Sequence, residues 1–330
     1  MRIAFVVNHV HEPSAEQTTT LLMSAALRRG HQVFVAGVGD LTIQPDGETI
    51  THGCALEAGD ANAVLRQLRS APASSLPLDD LDLCVVRSNP GRDESRQALH
   101  LAALRILESL EGKGVQVINS ARGLSRAWTK LSLLDIPTHL RPATLVTRDA
   151  SEIKAFIGTE PERVVIKPLQ GTRGSGVFVL DSHGSNSNAN QIIESVLRQG
   201  YAMVQEFVSG VEAGDVRVTV VDGDILESKG QPAAIARVPQ GADFRSNLHA
   251  GGEARPTVVT PDMRDAVSTI APHLEREGLF HVGVDFVGGR ILELNVFSPG
   301  GLYPSERLYR RDYATPVIEA FERRARQTGA

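Results

Sequence analysis

The run VGVDFVGGRILELNVFSPGG, near the end of this 330-residue chain, leaves the backbone little choice. Two apolar stretches rich in β-branched residues flank Gly288-Gly289, a composition that favours a tight hairpin over a helix. With strands over Val282 to Val287 and Arg290 to Val296, Glu293 and Asn295 share one face at period two and Asp285 lies nearly opposite them. Two carboxylates and an amide oxygen at one point suit a hard cation such as Mg²⁺, which keeps several waters and often completes its octahedron with nucleotide phosphates. A solvated hairpin with polar residues on its outer face would have the same pattern, so the rest of the chain has to decide.

Upstream, RIAFVVN (Arg2 to Asn8) precedes a helix-like segment from Thr18 to Arg29, which Gly30 stops before the apolar run Gln32 to Ala36. A second cycle follows, with strands over Leu81 to Arg87 and Val115 to Asn119 around a helix from Glu94 to Leu110. Alternation of this kind predicts an α/β domain with a parallel sheet and ligand loops at the strand carboxyl ends, where Asn8, Arg87 to Asn89 and Asn119 fall. No G-x-G-x-x-G follows the first strand, which weakens a dinucleotide reading.

The texture changes near Ser120. Lys130 lies in a short helix-like segment, and ATLVT (Ala143 to Thr147) and VVIKPL (Val164 to Leu169) read as strands. A lysine in the middle of an apolar strand either faces solvent or meets an anion. Gly171, Gly174 and Gly176 occupy the next loop with Ser175, and glycines at this density let backbone N–H groups approach phosphate oxygens. The loop joins strand to strand and lacks the G-K-[ST] ending, so it is not a Walker A loop. A strand lysine, a glycine-rich hairpin and a later carboxylate hairpin describe a nucleotide held between two sheets.

Composition excludes several classes. A net charge of −5 gives no footprint for nucleic acid, and no stretch is apolar enough for a membrane helix. Cys54 and Cys84 are too few for a disulfide framework, and no apolar leader opens the chain, so a cytoplasmic location is expected. His9 and His11 flank the end of the first strand without a third ligand spaced to join them, and Ser185 to Gln191 reads as a polar surface loop. Ala314 to Arg326 reads as a packed C-terminal helix with Val317, Ile318 and Phe321 on one face.

The motifs IKPLQGTRGSG, VQEFV, GDVRVTVVDG, ARVPQGADFRSNLHAGG and VGVDFVGGRILELNVFSP, in this order, resemble the ATP-grasp superfamily and within it the bacterial type of glutathione synthetase. The resemblance covers Asn119 to Pro299, with a looser match before it. It implies an ATP-grasp fold preceded by a parallel-sheet domain: residues 1–119 as the N-terminal unit, 120–203 as the central lid and 204–330 as the unit with the metal and substrate site. It further implies that Lys130 and Lys167 contact ATP phosphates and that Gly171 to Gly176 form a mobile lid. Gln205, Glu206, Phe207 and Val208 would meet the adenine edge. Asp285, Glu293 and Asn295 would hold Mg²⁺, around two ions, with Mn²⁺ able to substitute. Arg217, Arg237 and Arg245 would contact phosphate or the acid's carboxylate, Asn247 would add a polar contact, and Arg237 would stabilise the oxyanion.

The activity implied is ATP-dependent joining of a carboxylate to an amine through an acyl phosphate, with γ-glutamylcysteine and glycine as default substrates and a dimer or tetramer as the assembly. Two alternatives stay open: a ligase of the same mechanism with another acid and amine, and an ATP-binding regulatory protein without turnover. The segment Gly300 to Arg307 departs from the family's threonine and acidic helix, and Pro304 is expected to interrupt a helix there. The loops HEPSAEQ and RSNPGRD also depart from the usual acid-substrate loops.

Overall fold

A computed structural model describes residues 1–70, 72–160, 163–171, 176–181, 188–239 and 252–328. The first sheet uses β1 (Arg2–Val7), β2 (Gln32–Ile43), β3 (Thr49–Leu56), β4 (Ser74–Pro77), β5 (Leu83–Val86) and β6 (Gln116–Ile118), in the order β4-β3-β2-β1-β5-β6. Its helices are α1 (Thr18–Arg28), α2 (Ala61–Ser70), α3 (Gln97–Gly112) and α4 (Ala121–Arg126). From β2 across to β6 the strands run parallel, as the alternating pattern predicts. β3 and β4 add an antiparallel edge that the pattern did not reveal. Gly37 and Gly39 break the apolar run of β2, and its register with β3 shifts between Ala36 and Leu41. α3 begins at Gln97, because Glu94–Arg96 forms a separate 3₁₀ turn.

The second sheet is antiparallel: β7 (Thr144–Thr147), β8 (Arg163–Pro168), β9 (Phe178–Asp181) and β10 (Ala202–Glu206), in the order β7-β10-β8-β9. Val164, Ile166, Leu180 and Val204 bury one face against Ile153 of α5 (Ala150–Thr159) and Ile193 and Val196 of α6 (Ala189–Leu197). Because side chains alternate along a strand, Lys167 emerges on the other face. The helix already contains Ala189 to Gln191, so the polar run expected as a surface loop is helical at its end.

The third sheet is also antiparallel. It contains β11 (Asp215–Val221), the short β12 (Asp224–Ile225), β15 (Ala234–Val238), β16 (Glu253–Pro256), β17 (His281–Val287) and β18 (Arg290–Asn295), and between them β13 (Glu227–Ser228) and β14 (Gln231–Pro232) form a separate two-stranded ladder. One face buries Val218, Val220, Val282, Val284 and Phe286 against Met263, Val267 and Ile270 of α7 (Pro261–Arg276). The same core contains Ala4, Val6, Val86 and Val117, so the first and third sheets share one apolar interior.

Asn119 fastens these two sheets: its Nδ2 donates to the carbonyls of His281 and Val296, both at 2.9 Å, and its Oδ1 accepts from the His281 amide at 2.7 Å. Gly123 permits a further close approach, since a Cβ there would stand 2.0 Å from the Glu277 carbonyl oxygen. Forced separation of α4 from α7 should cost Gly123→Ala about 2 kcal/mol, read as a lower urea midpoint at unchanged slope.

α8 (Leu302–Tyr309) and α9 (Ala314–Thr328) close the chain. The expected interruption by Pro304 does not occur. Pro304 is the third residue of α8, in the first turn, where a missing N–H costs no intrahelical hydrogen bond. In α9, Val317, Ile318 and Phe321 are fully buried, as the helical face predicted. No helix among the described residues is long and apolar enough to cross a membrane.

Candidate active site

The polar face of the third sheet is built by register. Arg217 of β11 pairs with Asp285 of β17, which pairs with Glu293 of β18, so the three side chains stand in a row. Asn295 lies opposite Gly283 on the same face, and Asp215 lies opposite Arg237 of β15. A bulge between Asp285 and Phe286 shifts the register past Leu292 and returns Ile291 to the apolar side with Phe286.

Asp285 is only 2% exposed, and both its oxygens are engaged. Arg217 forks onto it, Nε to Oδ1 and Nη2 to Oδ2, each at 2.6 Å. Arg237 Nη2 reaches Oδ2 at 2.8 Å, and the Asn295 amide nitrogen donates to Oδ2 at 3.0 Å. Arg237 is held in turn by Asp215, with Nε to Oδ1 at 2.7 Å. The result is a chain of alternating charge, Asp215, Arg237, Asp285, Arg217, in which each buried charge has a partner. Burial alone would raise the Asp285 pKa; the two guanidiniums outweigh it and hold the carboxyl below the ordinary carboxylate range. Desolvation opposes the charge on Arg237, but Asp285 and Asp215 hold it protonated.

Glu293 makes no hydrogen bond or ion pair among the described residues, yet its charge acts on both candidate phosphate lysines. Lys130, Lys167, Gly171, Glu293 and Asn295 line one cavity of about 110 Å³ between the second and third sheets. Trp128 and Phe297, in edge-to-face contact at 5.6 Å, also line it. Lys130 donates to the Gly171 carbonyl at 2.7 Å, and its amide bonds to the Leu169 carbonyl at 3.0 Å, which ties it to the start of the glycine-rich loop. Burial lowers the Lys130 pKa against the opposing pull of Glu293. For Lys167, burial is again the main cause, Glu293 opposes it and Lys130 adds to it, leaving a pKa of about 8.

That shift has a defined sign. Below pH 8 both folded and unfolded chains carry the proton, so the folded state bears the full penalty of the buried charge. The penalty is relieved as pH rises from about 8 toward the ordinary 10.5. Lys167 should therefore add stability to the nucleotide-free protein across that window. Affinity for a phosphate chain should decline over the same window, because the neutral amine attracts no anion. Thermal midpoints and nucleotide titrations at pH 7 and pH 9.5, with Lys167→Met losing both dependences, check the pair of effects.

Gln205 and Glu206 end β10 and Phe207 and Val208 follow it; none of the four lines this cavity. The amides of Glu206 and Phe207 are spent on the carbonyls of Ala143 and Arg163, and the Phe207 ring lies 3.9 Å beneath the Arg163 guanidinium. The Val208 amide has no partner among the described residues. Glu206 also pairs with Arg290 at the start of β18, which links this segment to the hairpin carrying Glu293 and Asn295. Gly176 sits at φ +70° where a Cβ would press on Pro168 at 3.1 Å, so Gly176 itself packs close against the end of β8. Gly174, Ser175, Arg245 and Asn247 lie outside the described residues.

The donor set fits a hard divalent cation. Among the described residues Glu293 is unpaired, Asn295 directs its nitrogen at Asp285 with no hydrogen bond to its oxygen, and Asp285 Oδ1 accepts one bond, from Arg217. No group of three or more His, Cys, Asp or Glu side chains converges among the described residues. His9 and His11 form no such group either; His11 bonds to the Leu68 carbonyl. The residue missed from the sequence is Asp215. Its two-residue spacing from Arg217 was visible, but its partner Arg237 is joined to it only by cross-strand pairing.

Two sheets around one cavity, with Lys167 on one and the carboxylates on the other, Lys130 reaching in from a 3₁₀ turn, and a mostly parallel domain before them, define an ATP-grasp protein. A model of the prokaryotic glutathione synthetase ATP-grasp domain matches residues 129–310, and one of the N-terminal domain of the same family matches residues 1–125. The chain belongs to the prokaryotic glutathione synthetase family and is an ATP-dependent ligase. It is 30% identical to glutathione synthetase of Synechococcus elongatus over 98% of both chains, and 35% identical to that of Parasynechococcus marenigrum over 97% of this chain and 98% of the other. Glutathione synthetase of Escherichia coli K12 is 31% identical, covering 93% of this chain and 92% of its own. Among solved structures, D-cycloserine synthetase DcsG shares the fold with a TM-score of 0.64 at 19% identity, covering 98% of this chain and 99% of its own. The ATP-grasp ligase PsnB, solved with Mg and ADP, has a TM-score of 0.63 at 19% identity over 98% of both chains.

Proposed function

We propose that the protein joins γ-glutamylcysteine to glycine at the expense of ATP. The observation that carries this reading is the single cavity lined by Lys130, Lys167, Glu293 and Asn295, with Asp285 held beside them by two arginines. Lys167 from the second sheet and Lys130 from the 3₁₀ turn Lys130–Asp135 bind the phosphate chain of ATP, and the Val208 amide is left to meet the purine edge. Glu293, Asn295 and Asp285 Oδ1 hold Mg²⁺, one ion or two, with Mn²⁺ as a substitute. When bound, the ion neutralises charge on the transferring phosphoryl group.

The acid's carboxylate oxygen attacks the γ-phosphorus and ADP leaves, giving an acyl phosphate. The amine nitrogen then attacks the acyl carbon, loses a proton, and expels inorganic phosphate as the amide forms. Arg217 is positioned for the negative charge that develops on these oxygens; Arg237, spent on two carboxylates, keeps Asp285 ionised and in place. Arg245, Asn247 and the glycine-rich loop, with Gly174 and Ser175, complete the proposed enclosure that keeps water from the acyl phosphate.

The organisation proposed is an N-terminal unit, a central lid and a C-terminal unit. Because β10 pairs with β7 as far as Gln205 and with β8 as far as Glu206, the joint after the lid falls beyond Glu206. Homo-oligomeric assembly, as a dimer or tetramer, and a cytoplasmic location belong to the same proposal.

One observation favours a second reading with another amine. A Cβ at Gly301 would stand 3.6 Å from Arg217 Cδ, so Gly300 to Arg307 borders the site with a sequence unlike the family's. Incubation of the protein with Mg-ATP, γ-glutamylcysteine and an equimolar panel of small amines, followed by mass analysis, decides between them. The first reading predicts the glycine adduct as the main product; dominance of any other adduct establishes the second.

A further inference from the structure

Both hydrogen bonds that Lys130 donates among the described residues go to the chain just past β8. Its amide bonds to the Leu169 carbonyl at 3.0 Å, and its Nζ donates to the Gly171 carbonyl at 2.7 Å. The charge that acts on it lies on the other sheet, at Glu293 of β18, and no ion pair joins the two among the described residues. An ammonium on a flexible four-carbon stem is only loosely placed by such an attraction. The separation of Lys130 from Glu293 is therefore set by the residues that flank them.

Trp128 stands two residues before Lys130 and Phe297 two residues after Asn295. Their rings meet edge to face, with centroids 5.6 Å apart and planes at 90°, and both line the cavity that contains Lys130, Lys167 and Glu293. The positive edge of one ring against the negative face of the other makes this contact directional, unlike aliphatic packing. Each ring is also fixed from behind. The Phe297 carbonyl accepts from Asn89 Nδ2 at 3.3 Å and the Val296 carbonyl from Asn119 Nδ2 at 2.9 Å, so two loops of the first domain hold the end of the hairpin. Trp128 follows α4, whose Ala121 and Leu124 are buried in the core shared by the first and third sheets, and it packs against that core itself. Leu133, beyond Lys130 in the 3₁₀ turn Lys130–Asp135, returns to the same core.

We propose that Trp128 is a positioning residue for phosphoryl transfer, its edge-to-face contact with Phe297 setting the separation of Lys130 from Glu293 and Asn295. The inference rests on the ligase reading for the step that is positioned. Phosphoryl transfer gains mainly from placement and charge neutralisation, and a displacement of about 1 Å can cost about 100-fold in rate. Loss of the ring contact therefore slows turnover, while nucleotide binding, which Lys167 also supports, persists.

Mg²⁺- and ATP-dependent phosphate release by the full chain, at saturating acid and amine, tests it in Trp128→Phe, Trp128→Leu, Phe297→Leu and the double variant Trp128→Leu/Phe297→Leu. Trp128→Leu, which keeps apolar bulk without a ring, should lower kcat about 30-fold and leave KM for ATP within about 3-fold. Trp128→Phe, which still offers a ring, should return kcat to within about 3-fold of the wild type. Phe297→Leu should match Trp128→Leu, and the double variant should lose little more, because both residues act through one contact. A second readout needs no turnover. Trp128 is the only tryptophan of the chain, so the anisotropy of its emission in the nucleotide-free protein reports how firmly the ring is held, and it should fall in Phe297→Leu. If Trp128→Leu does not fold, Phe297→Leu and Trp128→Phe carry the comparison. Additive losses in the double variant, a kcat in Trp128→Phe as low as in Trp128→Leu, an unchanged anisotropy, or a loss confined to KM or to thermal stability overturns the inference. Wild-type protein that releases no phosphate from any acid and amine pair shows instead that the ligase reading fails, and the inference with it.

Discussion

Asp285→Ala should lower turnover by about 1000-fold and also cost about 3 kcal/mol of stability, a combination that a purely catalytic or purely structural residue would not give. The first effect follows from losing a carboxylate at the phosphoryl-transfer site, where electrostatic stabilisation is worth several kcal/mol. The second follows from its neighbours. Arg217 would lose both of its 2.6 Å bonds in a half-buried position, and Arg237 would lose one of its two carboxylates. Removing one partner of a buried pair is costly because the other charge remains. Steady-state phosphate release and urea unfolding on the same preparation read the two effects; loss of activity with unchanged stability would show that the arginines do not depend on Asp285.

Glu293→Gln should behave differently, although it stands beside Asp285 in the register. Glu293 has no ion pair among the described residues, so its loss should cost less stability than that of Asp285, and the cost falls on the buried lysines whose charge it offsets. Turnover should still drop by at least about 100-fold, with a higher Mg²⁺ requirement, because an amide binds a hard cation more weakly than a carboxylate. A third consequence concerns the lysines. Glu293 is the charge that opposes desolvation at both Lys130 and Lys167. The Gln variant should therefore move the alkaline fall in nucleotide affinity below pH 8. An unchanged alkaline limb, measured by nucleotide titration from pH 6.5 to 9.5, would show that Glu293 does not act on the lysines.

The carboxylate hairpin was legible because its information is local: Gly288-Gly289 sets the turn and period two sets the faces. The Lys167 strand was legible for the same reason, since only one residue in VVIKPL breaks an apolar run. What the sequence left open was whether Lys167 faces solvent or an anion, and that depends on α5 and α6 covering the opposite face. The antiparallel edge of the first sheet was hidden by Gly37 and Gly39, which look like a strand end and instead lie within a register shift inside β2. Pro304 misled because its effect depends on its place in the helix; three residues from the start, it is tolerated. The charge chain was hidden most deeply. Arg217 and Asp285 are 68 residues apart and Arg237 and Asp285 are 48 apart, so no spacing announces the pairing.

The measurement that bears most directly on the central claim is Mg²⁺- and ATP-dependent phosphate release by the purified protein with γ-glutamylcysteine, with and without glycine, beside Asp285→Ala. The account predicts release that requires both substrates, at one phosphate per glycine adduct, and that falls by about 1000-fold in the variant. Undiminished release by Asp285→Ala, or ATP binding with no release from any acid and amine pair, would contradict it.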